Sequence, residues 1–236
     1  MCSKCPTVGI SRRLLVGAGA VAALPLVGSF AGKAQAQPQR AVATPDAAVA
    51  RLAEGNARYV SGKMNERDFS AGRIAREKGQ APFAAILSCA DARVAPELAF
   101  DQPPGELFVV RVAGNFVTPD GLASLEYGAA VLGVKAIMVL GHNSCGAVNA
   151  TVAALQKGND LPGHIADLVR AMKPGIEPTL KQAGDDLNYR AVVANVRFSV
   201  QRLQEATPIL ADMVKAGKLR VVGGVYDLAT GKIATV

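Results

Sequence analysis

Short, unbroken apolar runs recur along the chain, separated by amphipathic and Ala-rich stretches. PFAAILSC at 82–89, GELFVVRVAGN at 105–115, KAIMVLGH at 135–142 and LRVVGGVYDL at 219–228 read as strands, and KIATV at 232–236 as a short fifth. These runs do not alternate apolar with polar, which is the pattern of strands buried on both faces. Between them, GLASLEYGAAVLG at 121–133 predicts a helix, and SCGAVNATVAAL starts another at Ser144. A long helical region covers roughly 185–216, broken at Pro208. Near the front, Thr44 is placed as an N-cap and Pro45 as the first residue of a helical arm, about 45–61. Its apolar stripe, Ala48, Leu52, Ala53 and Tyr59, is sparse. The pattern predicts a single α/β domain with a mostly parallel central sheet of four to five strands flanked by helices.

Residues 1–36 stand apart from this pattern. Lys4, Arg12 and Arg13 precede an apolar run from Leu14 to Gly32, and Ala34-Gln35-Ala36 follows as a small-x-small cleavage site. That order is an export signal, and the paired arginines of SRRLLV resemble the twin-arginine type. A transmembrane anchor is the rival reading. Pro25, the Gly and Ala content and the adjoining cleavage site count against it. Cleavage leaves residues 37–236 as the working domain, periplasmic and without a stable membrane anchor.

Charge changes the picture little. The chain has 26 basic and 19 acidic residues. Four of the basic ones lie in the leader, leaving 22 against 19, a balance of +3. No Lys/Arg cluster interleaved with aromatics appears, so nucleic acid is not an expected partner.

Chemistry concentrates at two strand ends. Cys89 closes the first apolar run, and Asp91 and Arg93 follow in SCADARV. His142 closes the third run, and Cys145 comes three residues later in GHNSCG. Ligands of open α/β sheets bind at the carboxyl ends of strands, so these groups are placed to meet. Two Cys and one His suit zinc, and three protein ligands leave a fourth position for water, the pattern of a catalytic site. Asp91 and Arg93 pair either as a fixed carboxylate that orients that water or with Asp91 as a fourth ligand. A Cys89–Cys145 disulfide is the plainer reading in an oxidising compartment, but it leaves His142 without a purpose. His164 reads as a surface histidine. Phe108 and Tyr127, taken alone, read as core packing.

SCADARVAPE, PPGELFVVR, LEYGAAVLGVK and GHNSCGAV, in this order and spacing, resemble the β-class carbonic anhydrases over nearly all of the chain after the leader. The resemblance implies zinc, one per chain, on Cys89, His142 and Cys145, with Asp91 and Arg93 as a catalytic dyad. It implies reversible hydration of CO2 to bicarbonate and a proton by zinc-bound hydroxide. Gln80, Phe108, Tyr127 and Gly146 match substrate-contacting positions of plant-type members. It also implies a homodimer or homotetramer, with the N-terminal helix lying on the partner. Val112 replaces a usual Asn, and Ala113 a larger valine. Hydrolysis of carbonyl sulfide or carbon disulfide on the same scaffold, and a non-catalytic periplasmic zinc binder, stand as alternatives.

Overall fold

The computed structural model describes residues 42–70, 72–158 and 161–236, and the export-signal reading falls on residues outside these. Five strands form one sheet: β1 (Ala84–Ser88), β2 (Leu107–Arg111), β3 (Ala136–His142), β4 (Arg220–Tyr226) and β5 (Ile233–Thr235). Their order is β2-β1-β3-β4-β5. The first four are parallel, and β5 returns antiparallel to β4. Every residue of β1 and β3 is buried, as unbroken apolar runs require of central parallel strands.

Alternate residues of these strands feed two cores. Ala85, Leu87, Ile137 and Val139 face α4 (Pro119–Ala130), α5 (Gly146–Lys157), α6 (Ile165–Ile176), α7 (Leu187–Gln204) and α8 (Ile209–Lys215). Ala84, Ile86, Met138 and Leu140 face α1 (Pro45–Val60) and α3 (Pro96–Ala99). A five-residue α2 (Arg73–Glu77) precedes β1, and a 3₁₀ turn at Glu177–Lys181 follows α6. Gly141 lets α7 close onto β3, since a Cβ there would lie 2.7 Å from Val196 Cγ2. No described helix is long and apolar enough to cross a membrane.

The N-terminal helix is anchored within its own chain. One face of α1 packs on its own sheet. Ala48 and Leu52, one turn apart, are fully buried against the second core. One turn on, buried Asn56 donates to Ala99 O (3.0 Å) and Gly231 O (2.9 Å) and accepts from Ile233 N (3.0 Å). These three bonds satisfy both ends of the amide and tie α1 to the turn before β5. A sparse stripe suffices because the helix comes in close at Gly55, where a Cβ would collide with Phe100 O, and Val49 and Tyr59 add partly buried contacts.

Element ends also shift. β2 stops at Arg111, not Asn115, because Gly114 (φ 87°) and Asn115 (φ 44°) turn the chain out of the sheet. α4 begins at Pro119, two residues early, because Thr118 caps it by accepting from Gly121 N at 3.0 Å. The long helical region divides into α7 and α8, with Pro208 capping the second, and His164 caps α6 with its side chain in solvent.

Candidate metal centre

The chain leaves β1 for β2 on one side of the sheet and β3 for β4 on the other. The crevice at such a switch point is where open α/β sheets bind ligands. Cys89 follows β1 directly, and His142 is the last residue of the adjacent β3. A two-residue turn, Asn143-Ser144, then brings Cys145 to the N-cap of α5. The ligand-capable atoms of Cys89, His142 and Cys145 all lie within 4.8 Å of one another, and all three residues are buried.

The donor set fits a metal ion. His142 Nδ1 lies 2.8 Å from the Asn143 carbonyl, an acceptor only, so this nitrogen carries the proton and Nε2 keeps its lone pair. Nε2 is buried and has no hydrogen-bond partner. A buried polar atom without a partner is costly, and a cation between two thiols would satisfy it. The two sulfurs lie 3.9 Å apart, and both cysteines are free thiols.

The electrostatics favour a charged pair. The hydrogen bond from Cys145 pulls the Cys89 thiol down to about 4, against the effect of burial, and the Gly114 amide adds to it at 3.3 Å from Sγ. Cys145 is pushed up by the same shared proton. Burial alone would depress the His142 imidazole, but the neighbouring Cys89 thiolate outweighs it and raises the pKa. A metal ion would take the place of the shared proton and balance the thiolates.

Asp91 stands beside this cluster. Its Oδ2 lies 3.7 Å from His142 Nε2. Arg93 grips it bidentately, Nε to Oδ1 at 2.9 Å and Nη2 to Oδ2 at 2.7 Å, and the Arg93 amide adds a third bond at 2.9 Å. The Arg93 side chain therefore holds the carboxyl well below the usual carboxylate range. Asp91 lies beside the three-residue ligand cluster rather than within it.

Several supports escaped the sequence reading. Arg111, at the end of β2, donates to the carbonyls of Cys89 (3.0 Å), Asp91 (2.7 Å) and Val94 (2.9 Å), fixing the loop that carries the first thiol and the dyad. Its signal was visible: a guanidinium ending an apolar strand at the ligand edge. Asn195 of α7 donates to Gly114 O at 2.7 Å and so holds the loop whose amide meets Cys89. Gly114 must be glycine, given its positive φ and a Cβ position 2.5 Å from Met172 Sδ.

The four substrate-contacting candidates are not all here. Gly146 opens α5 beside Cys145, and a Cβ there would meet nothing within 4 Å, so its backbone faces open space. Phe108 pairs with Ala85, near the start of β1, and stacks on half-exposed Tyr127 at a ring-centroid distance of 6.4 Å. Gln80 is exposed before β1, at the opposite end of the strand from Cys89. Phe83, already paired with Glu106, is separated from Cys89 by about 20 Å of extended chain. The three residues back to Gln80 can recover only about 10 Å of that. Within one chain, Gln80, Phe108 and Tyr127 are not brought to the cluster.

The carbonic anhydrase family profile matches residues 84–233. A carbonic anhydrase of Mycolicibacterium smegmatis is 38% identical over 190 residues, 80% of this chain and 92% of the relative. The chain belongs to the β-class carbonic anhydrase family. Carbonic anhydrase 2 of Mycobacterium tuberculosis is likewise 38% identical, over 80% of this chain and 91% of its own. Among solved structures, the β-carbonic anhydrase CcaA superposes with a TM-score of 0.64 at 28% identity, covering 79% of this chain and 86% of that one. A Coccomyxa β-carbonic anhydrase in complex with acetazolamide gives 0.63 at 30%, covering 71% and 77%. This carbonic anhydrase thus carries its buried Cys-His-Cys cluster at the switch point of its sheet.

Proposed function

We propose that this carbonic anhydrase converts CO2 and water reversibly to bicarbonate and a proton at a zinc ion held by Cys89, His142 and Cys145. The observation that carries the reading is the buried, partnerless Nε2 of His142 within 4.8 Å of two thiol sulfurs. Zinc, when bound, acts as a Lewis acid that lowers the pKa of water from about 15.7 to about 7. The protein supplies the rest. Asp91, ionised and immobilised by Arg93, accepts a hydrogen bond at the edge of the cluster and aligns the attacking oxygen toward CO2. The Arg93 side chain holds one lone pair on each carboxylate oxygen, and the lone pair left on Oδ2 lets Asp91 accept a further hydrogen bond. The open backbone at Gly146 lets the substrate approach, while the Ala147 and Val148 amides of the same turn favour the Cys145 thiolate. The proton passes to buffer, since His164 lies fully in solvent on another element.

A second copy of the chain completes the pocket in this reading. Gln80, Phe108 and Tyr127 lie away from their own cluster and leave Tyr127 49% exposed, with Val131, just past the end of α4, 64% exposed. A homodimer would bring one chain's Gln80 and aromatic pair to its partner's metal, and tetramers would pair such dimers. The leader composition supports export to the periplasm by the twin-arginine route.

Parallel assays of bicarbonate formation from CO2 and sulfide release from carbonyl sulfide test the reading. Bicarbonate formation is expected to dominate. Sulfide release as the faster reaction would reassign the substrate.

A further inference from the structure

The turn between His142 and Cys145 is itself held from a distance. The His142 Nδ1–H donates to the Asn143 carbonyl at 2.8 Å. A carbonyl can fix an imidazole's tautomer and rotation only if the carbonyl is fixed too. This one sits in a tight turn whose next residue, Ser144, has φ 53°. Left-handed backbone at a residue other than glycine persists only where the surroundings hold it.

What holds it is the loop after β4. Asn143 N donates to Tyr226 O at 3.1 Å. Asn143 Nδ2 donates to Asp227 Oδ2 at 2.9 Å, and Asn143 Oδ1 accepts from Leu228 N at 2.9 Å. Asp227 is pinned in turn. Its Oδ1 accepts from Ala229 N (3.1 Å), Thr230 N (2.8 Å) and Thr230 Oγ1 (2.8 Å). The β4–β5 hairpin is thereby locked to the ligand turn across 84 residues of sequence.

We propose that Asn143 and Asp227 form a positioning pair that fixes the Asn143 carbonyl, and through it the His142 ring, so that Nε2 faces the metal. The proposal rests on the zinc reading above. Neither residue belongs to the ligand cluster, and their link to it runs through His142. Groups that hydrogen-bond the far side of a metal-bound histidine typically contribute about 10–100-fold in metal affinity.

A double-mutant cycle tests it. Asn143→Asp alone sets two carboxylates face to face. Asp227→Asn alone sets two amide NH2 groups face to face. Both changes together restore the bond with donor and acceptor exchanged, while Leu228 N and the Thr230 groups keep acceptors. Zinc affinity is measured by chelator competition, cobalt–thiolate charge-transfer absorption reports ligand geometry, and melting of the metal-free chain reports folding. Asn143→Ala is a fourth variant, which leaves the Asp227 turn intact. Each single variant and Asn143→Ala should bind zinc about 10–100-fold more weakly, with altered cobalt absorption, and the doubly exchanged chain should regain most of the affinity. Equal zinc affinity in all the variants would overturn the pair, even if the metal-free chains melt lower. So would additive losses in the doubly exchanged chain, because they would mean the two residues do not act together. A wild-type chain that takes up no zinc would overturn the zinc reading itself.

Discussion

Asp91 Oδ2 lies 3.7 Å from His142 Nε2 while Arg93 holds both oxygens of the same carboxylate. The dyad is thus built against the metal cluster but not into it. Asp91→Asn should keep its zinc and lose on the order of 100-fold or more in CO2 hydration, the range of a positioned acid–base group. Metal analysis with turnover on one preparation decides this, and wild-type turnover in the variant would remove Asp91 from the mechanism.

The same pair predicts a pH effect. Arg93 lowers the folded-state pKa of Asp91, so the carboxylate adds stability above the ordinary carboxylate range and loses it as pH falls below that range. Arg93→Ala returns Asp91 toward its ordinary value. The stability gap between wild type and Arg93→Ala, full above the ordinary carboxylate range, should shrink as pH falls below it. A gap that does not change with pH would mean that Arg93 does not govern Asp91.

Asp101 predicts a large loss of stability. It is fully buried, takes a left-handed φ of 46°, and pairs with Arg58 at 2.5 Å and with Arg67, with Asn65 adding a bond at 2.9 Å. Burial alone would raise its pKa, but the two arginines outweigh this and lower it. Asp101→Asn breaks a buried pair and should cost about 3–5 kcal/mol, read as denaturant midpoint at pH 7. The difference from wild type should shrink as pH falls and the native carboxylate protonates. A loss under about 1 kcal/mol would place this cluster with ordinary surface ion pairs.

Leu52 tests the placement of α1. Fully buried against its own sheet, it should cost about 2–5 kcal/mol when cut to Ala. The loss should persist at protein concentrations low enough to dissociate oligomers. A cost that vanishes on dissociation would put α1 on a neighbour after all.

Shared sites make a complementation prediction. Chains with Gln80→Ala and chains with Cys145→Ala are refolded separately and together. Cys145→Ala alone should lose zinc and activity together. The co-refolded mixture should exceed the sum of its parents, because a mixed dimer holds one site with intact ligands and an intact Gln80. A merely additive mixture would mean that each chain's site is complete by itself.

Much of this architecture was legible because its signals are local. Apolar runs without alternation marked β1, β3 and β4 within a residue or two, and Thr-Pro marked the start of α1. The same Thr-Pro signal stands at 118–119 and starts α4 two residues before the apolar pattern alone does. The metal cluster was readable because strand ends carry it. What was not readable depends on distance. Asn143 meets Asp227, and Asn195 meets Gly114, across 84 and 81 residues. An Asn in a turn or an Asp in a hairpin has many ordinary uses, so neither advertises its partner. The self-packing of α1 was hidden for a similar reason, since Asn56, its main tether, looks like any polar helix residue.

The most direct test of the central claim is stopped-flow CO2 hydration by the chain across pH, with zinc content measured on the same sample. The account predicts one zinc per chain and hydration that rises through a single pKa near neutrality. One zinc per chain with no hydration at any pH would leave the ligand cluster standing and contradict the assigned reaction.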